Sequence, residues 1–203
     1  MVTIDLKREL RDQYGATTTP ALVTVPPRPF LMVDGEGDPN TAPAYREAIA
    51  TLYPLAYALR AAVKRTTGDA YTVLPLEGLW WADDLSRFSV AAKDEWRWTM
   101  MISLPDAVEQ VDAAAVVAST ARAKALPAGE LVRLERFGDG DAAQVLHVGP
   151  FATEGPTVAA LHAYVEEQGR ELAGTHHEVY LSDARRVDPQ RWRTIVRQPV
   201  APR

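Results

Sequence analysis

Hydrophobic and polar positions alternate along two stretches of the chain and recur at helical spacing along several others. The sharpest alternation is His176-His177-Glu178-Val179-Tyr180-Leu181-Ser182-Asp183. Side chains along a strand point to opposite faces in turn. Val179 and Leu181 therefore share a face suited to a core, while Glu178 and Tyr180 share the other, suited to solvent or to a groove. Glu95 to Leu104 alternates in the same way, with Trp96, Trp98, Met100 and Ile102 on one side.

The longest helical pattern, Tyr45, Ile49, Leu52, Ala56, Leu59 and Val63, predicts a helix over 43–66. Thr41 or Asp38 is its expected cap, Pro39 or Pro43 suits its first turn, and Pro54 predicts a kink or break near Tyr53. Shorter patterns predict helices over 5–14, 106–125 and 154–172, the last capped by Thr153. Further strands are expected at 30–33, at 71–81 with a bend near Pro75 and Gly78, and at 194–200. Residues 131–137 and 143–148 flank Gly138-Asp139-Gly140-Asp141 and read as a hairpin. Residues 22–29, with three prolines, suit an edge strand or extended connector. Residues 82–94 are polar and read as a connection between two strands expected to pair antiparallel.

In order, the elements run strand, helix, strand, strand, twice. The first copy is 30–37, 43–66, 71–81 and 95–104, and the second 143–149, 154–172, 176–182 and 193–200. The third elements resemble each other, Leu76-Glu77-Gly78-Leu79-Trp80 beside His177-Glu178-Val179-Tyr180-Leu181. The expected fold is α+β: tandem βαββ units with pseudo-twofold symmetry, antiparallel sheets and helices on one side. One domain over 1–203 would comprise an N-terminal helix and extended segment (1–29), the first repeat (30–104), a linking helix and strand (105–142) and the second repeat (143–203). A groove between the repeats, lined by Glu77, Glu178 and aromatic residues, is the expected ligand site.

Composition narrows the function. The 203 residues are 47% hydrophobic and 24% charged, as in a globular protein with a real core. A net charge of −5 argues against direct nucleic-acid binding, for which a basic stripe is expected. Without cysteine there is no disulfide, thiol nucleophile or Cys-based zinc site. No apolar run reaches the roughly 20 residues that span a bilayer, and no signal peptide is read, so a cytoplasmic protein is expected.

Several motifs carry little. Gly35 and Gly37 fit neither phosphate-loop spacing. His176 and His177 diverge on a strand, and His147 and His162 lack ligand-spaced neighbours, so no metal or other cofactor is expected. Ser182 and Asp183 lack the glycines of a nucleophile elbow.

A family resemblance adds to this. Leu146-His147-Val148-Gly149-Pro150-Phe151, then a helix, then His177 to Asp183, then Val196-Arg197-Gln198-Pro199-Val200, resembles the GyrI-like small-molecule-binding domain. Lys7-Arg8-Glu9-Leu10, Met32 to Asn40, Tyr53 to Leu59 and Leu76 to Trp81 are similar to a stand-alone branch of it. The resemblance covers nearly the whole chain and implies tandem βαββ (SHS2-type) repeats. The family includes effector domains of multidrug-sensing regulators, a DNA gyrase inhibitor, and hydrolases that open the cyclopropane of cyclopropanoid DNA alkylators. The stretch before residue 30 is too short for a helix-turn-helix, so the hydrolase branch is the expected one, with gyrase interaction ranked last.

Such a substrate is planar, aromatic and electrophilic. Opening its strained ring with water needs a wall to stack on, a donor toward the conjugated carbonyl, and a base for the water. Trp80, Trp81, Trp98, Tyr180 and Phe151 are candidate walls. Glu178 is the first candidate for base, and Tyr180 for hydrogen-bond donor. Glu154 is a second carboxylate, readable either as catalytic or as plain helix-end electrostatics. Glu77 is readable as a ligand contact or as a structural partner. Burial would raise the pKa of a carboxylate in such a groove, and which of the two acts as acid is open. The alternative is a binding module for planar aromatic or cationic drugs, with Glu178 as counter-charge.

Overall fold

Alanine, leucine and tyrosine at helical spacing give the longest helix its length, and burial holds it through a proline. In a computed structural model, residues 3–4, 6–82 and 93–203 are described. Their elements are β1 (Thr3–Ile4), α1 (Leu6–Glu9), α2 (Arg11–Tyr14), β2 (Ala21–Val25), β3 (Arg28–Glu36), α3 (Pro43–Thr67), β4 (Ala70–Tyr71), β5 (Leu76–Trp81), β6 (Arg97–Ser103) and α4 (Ala113–Ala123), followed by β7 (Arg133–Phe137), β8 (Gly140–Val148), α5 (Gly155–Glu167), β9 (Arg170–Leu172), β10 (His176–Tyr180) and β11 (Arg193–Pro202). The mixed α+β class is as expected. The polar connection expected over 82–94 falls, for residues 83–92, outside the described residues.

The chain divides into two units. The first comprises Met1–Leu6, Arg28–Leu74 and Trp80–Phe137, and the second Lys7–Pro27, Pro75–Leu79 and Gly138–Arg203. In the first, β3 pairs antiparallel with β6 on one side and β7 on the other. α3 lies against β3 and β6 and also contacts α4. Leu52, Leu55, Leu59 and Val63 are fully buried along it. Pro54 removes one backbone donor from the helix, yet α3 runs unbroken where a kink or break was expected. The buried leucines on either side of Pro54 supply the packing that offsets the lost bond.

In the second unit, β8 pairs antiparallel with β2 and β11, and β11 with β10. Both faces of this sheet are covered. Leu161 and Val165 of α5 pack with Ala143, Val145, Val196 and Val200. On the other face Leu146, Val179 and Ile195 meet Tyr14, Ala16 and Leu181. That accounts for six successive buried residues in β8, from Ala142 to His147, where a half-wet strand would alternate.

Several expected elements differ. The 5–14 helix is two short turns, α1 and α2. The 71–81 strand breaks before Pro75 into β4 and β5. The 106–125 helix splits because the Asp112 carboxylate caps α4 by accepting from Ala115 N (3.0 Å). Ala42, with no side-chain cap, precedes α3 in place of Thr41 or Asp38. α5 starts after Glu154, not after a Thr153 cap, and ends at Glu167. The expected hairpin does not form, since β7 pairs with β3 and β8 with β2 and β11. At the turn between them Gly138 sits so close to the backbone of Pro26 that a Cβ would lie 2.6 Å from its carbonyl carbon.

Gly35 of β3 lies opposite Trp98 of β6, which is fully buried. A Cβ on residue 35 would come within 2.1 Å of the indole ring. Gly35→Ala therefore forces the ring or the strand to move, and should lower stability by about 1–3 kcal/mol. Denaturant unfolding checks this, and an unchanged midpoint would show that Trp98 has room to shift.

Candidate functional site

The alternation of β10 sorts two sets of charged groups onto its two faces. Glu178 lies opposite Val196 of β11, on the α5 face, and His177 lies opposite Arg197, on the face that receives Tyr14.

On the α5 face, His147 of β8 fixes where α5 begins. Its Nε2 donates to the carbonyl of Pro150 (3.3 Å), leaving Nδ1 to accept from the Thr157 hydroxyl (2.9 Å). Gly149 makes the preceding turn with φ +136°, and its N–H donates to Trp192 O (3.0 Å). The turn delivers Glu154 to the N-cap position of α5, but its side chain caps nothing. Only 8% exposed, it hydrogen-bonds Glu178 instead.

Two carboxylates in contact cannot both stay ionised. At a helix N-terminus the dipole favours the charged form, but here burial, and then the charge and hydrogen bond of Glu178, win and push Glu154 up to about 9. Burial also works to raise Glu178, but hydrogen bonds and charge from His176, with further hydrogen bonds from Tyr180 and Glu154, hold it below its ordinary value. At neutral pH the pair therefore holds one proton, on Glu154. Glu154 is thus the protonated carboxylate of the pair and Glu178 the ionised one.

Aromatic rings stand beside the pair. Phe151 meets Tyr180 edge-on at 5.7 Å and Trp192 at 4.9 Å, and is itself 43% exposed. Trp192 is anchored by its Nε1 donating to Val187 O (2.8 Å). The other expected wall residues lie in the first unit. Trp98 is fully buried and Trp80 is 4% exposed, both packed on Tyr45 in a core, while Trp81 is half-buried. A surface concavity of about 530 Å³, lined by residues such as Arg11, Thr17, Leu22 and Gln144, contains none of the carboxylate pair.

The opposite face of β10 holds a buried ion network. His177 Nε2 meets Glu77 (3.0 Å) and Nδ1 meets Asp139 (2.8 Å). Both partners are carboxylates, so both ring nitrogens carry protons and the ring is an imidazolium. Burial opposes that charge, but Asp139 and then Glu77 outweigh it and raise His177 to about 9. Tyr14 donates to Glu77 (2.6 Å), and Arg197 donates to Asp139 (3.1 Å) and to Gln13 O (2.5 Å). Glu77 is thus a structural partner, 1% exposed, of a histidine and a tyrosine. Among the described residues no cluster of three or more metal-ligating side chains occurs.

Of the residues expected at the site, the structure brings Glu154, Glu178, Tyr180 and Phe151 together. Sequence reasoning missed Trp192, which just precedes the last expected strand at 193–200, the anchoring role of His147, and the network joining His177, Asp139, Arg197 and Tyr14. The one signal for the network was the placement of His177 and Arg197 within two strands, where a charge needs a partner.

The model of the GyrI-like small molecule binding domain matches residues 18–201. The chain belongs to the GyrI-like family. The solved structure of a hydrolase from Listeria innocua is 34% identical, covers 98% of this chain and 100% of its own, and superposes with a TM-score of 0.87. An uncharacterized conserved protein from Listeria innocua matches with the same identity and coverage at 0.86. The EcmrR C-terminal domain shares the fold at 14% identity, with a TM-score of 0.59 over 91% of this chain and 98% of that domain. No curated protein matches the chain. The site described above therefore sits in a small-molecule-binding domain. No helix among the described residues is long and apolar enough to cross a membrane.

Glu154 and His177 both hold a proton in the folded state that the unfolded chain gives up at lower pH. Their contribution to stability therefore falls as pH rises. Glu154 contributes to the fall as pH rises from its unfolded value, about 4.3, to about 9, and His177 as it rises from about 6.5 to about 9. Between pH 7 and 8.5 both groups contribute, so the slope of stability against pH is about twice that of a single titrating proton. Glu154→Gln should halve that slope in denaturant titrations. A flat wild-type profile would remove both proton assignments.

Proposed function

We propose that this GyrI-like protein is a hydrolase that opens the cyclopropane of cyclopropanoid DNA-alkylating compounds by adding water. The observation that carries the reading is the buried carboxylate pair with one proton, set beside the exposed ring of Phe151. The 34% identity to a Listeria innocua hydrolase supports it. The recurrence of strand, helix, strand and strand, as β3-α3-β5-β6 and β8-α5-β10-β11, supports a tandem βαββ origin.

The chemistry follows from the proton inventory. Phe151 and Tyr180 offer faces and edges to a planar ring. Glu178, ionised, takes a proton from water as its oxygen bonds to the cyclopropane carbon. The carbon–carbon bond breaks, and its electron pair passes through the conjugated system to the carbonyl oxygen. Glu154 gives up its proton to that developing oxyanion, and the proton gained by Glu178 restores the pair. The site ends the turnover as it began, and general acid–base help of this kind gives about 10²–10⁴-fold.

A second reading draws on the same groups. An ionised carboxylate flanked by Tyr180 and Phe151 also suits a planar cation held without reaction. Incubation with a cyclopropanoid alkylator followed by mass measurement separates the two. Hydrolysis adds one water, and Glu178→Gln should cut turnover at least about 100-fold while binding persists. Compound recovered intact from a tight complex would make the protein a sequestering module. Turnover unchanged in Glu178→Gln would remove Glu178 from the mechanism.

The pH dependence has a definite sign. The acid form of Glu154 is present below about 9, so turnover should hold through neutrality and fall as pH climbs through that value. A kcat profile between pH 6 and 10 checks this. A rate still rising at pH 10 would show that no carboxyl proton is needed.

A further inference from the structure

Nothing in the shapes of Glu154 and Glu178 decides which of them ionises. Both are carboxylates, both are largely buried, and each touches the other. Their donors differ. His176 and Tyr180 flank Glu178 two residues before and two after, on the same face of one strand. His176 Nε2 lies 3.3 Å from Glu178 Oε1, with the two side chains 13% and 14% exposed. Glu154 Oε1, in contrast, is buried without a hydrogen-bond partner among the described residues.

We propose that His176 is a positioning residue for the hydrolysis, and that by donating from Nε2 to Oε1 it makes Glu178, rather than Glu154, the carboxylate that meets the water. The inference rests on the hydrolase reading and deepens it. A carboxylate accepts only, so the proton of this bond belongs to the imidazole. Donors to the charged form favour it, and the carboxylate offered more of them keeps the charge. The other groups facing this bond are Tyr180 on β10 and Glu154 and His162 on α5, with Glu166 beside His162. Opposite on β11 are Val196 and Thr194, which carry no charge. Glu77 of β5 is engaged with His177 on the far face. Burial, and then the charge of His176, hold His162 below its ordinary value, so the second imidazole does not compete as a cation.

Two variants test the assignment. His176→Ala removes the donor, and His176→Gln keeps an N–H near the same place. In His176→Ala, kcat should fall about tenfold with KM little changed, and the acid limb of the kcat profile should move up by about one pH unit, the equivalent of one charge-assisted hydrogen bond. His176→Gln should return most of both. A folded His176→Ala whose acid limb stays at the wild-type position would overturn the proposal, as would a Gln variant that recovers neither quantity. Carboxyl carbon NMR of Glu178 reads the same point without turnover. If the wild-type protein forms no product, the hydrolase reading fails by itself, and an upward move of the Glu178 titration in His176→Ala still supports the donor's role. An unmoved titration overturns it.

Discussion

The second unit is organised around an imidazolium that water cannot reach. His177 sits in mid-strand, 1% exposed, between the carboxylates of Glu77 and Asp139. A buried charge of this kind is costly unless it is paired and hydrogen-bonded. The pairing draws together segments far apart in sequence: the α2 turn through Tyr14 and Gln13, β5 through Glu77, the turn before β8 through Asp139, and β11 through Arg197. Losing one partner leaves an unpaired charge in an apolar setting, which costs about 3–5 kcal/mol. The network also lies where the hairpin was expected. Asp139 is committed to His177 and Arg197, while β7 and β8 take other partners, β3 for the one and β2 and β11 for the other.

The carboxylate pair shows how environment divides identical groups. Glu154 and Glu178 begin with the same chemistry. Burial disfavours charge on both, and contact forbids charge on both at once. The donors from β10 then break the tie. The helix dipole, which on its own would favour an ionised Glu154, is the smaller effect here, as expected for an interaction worth only about 0.3–1 kcal/mol at most helix ends.

Much of this was legible in the sequence. Period-two alternation in 176–183 put Glu178 and Tyr180 on one face and Val179 and Leu181 on the other, and the burial of Val179 agrees. Helical spacing located α3, and Pro43 and Gly68 bound it as an N1 proline and a left-handed cap. What was not legible depends on partners remote in sequence. Pattern gives no sign that Asp139, in a Gly-Asp-Gly-Asp run, is buried, because its partners lie 38 and 58 residues away. Pattern likewise read Trp98 as a wall, although its ring is packed beneath Gly35. Alternation assigns a face to a side chain, not the medium that covers the face, and in the second unit both faces are covered.

One strand carrying two unrelated charge systems has a consequence for how such a protein can diverge. Successive residues of β10 belong alternately to a scaffold that must be kept and to a site that can be rewritten. Substitution at 176, 178 or 180 can retune chemistry while 177 and 179 keep the sheet anchored. A single-residue insertion or deletion has no such latitude. It would turn the imidazolium toward α5 and the Glu178 carboxylate toward Tyr14, so lineages descending from this site are expected to differ by replacement within β10 and to conserve its length.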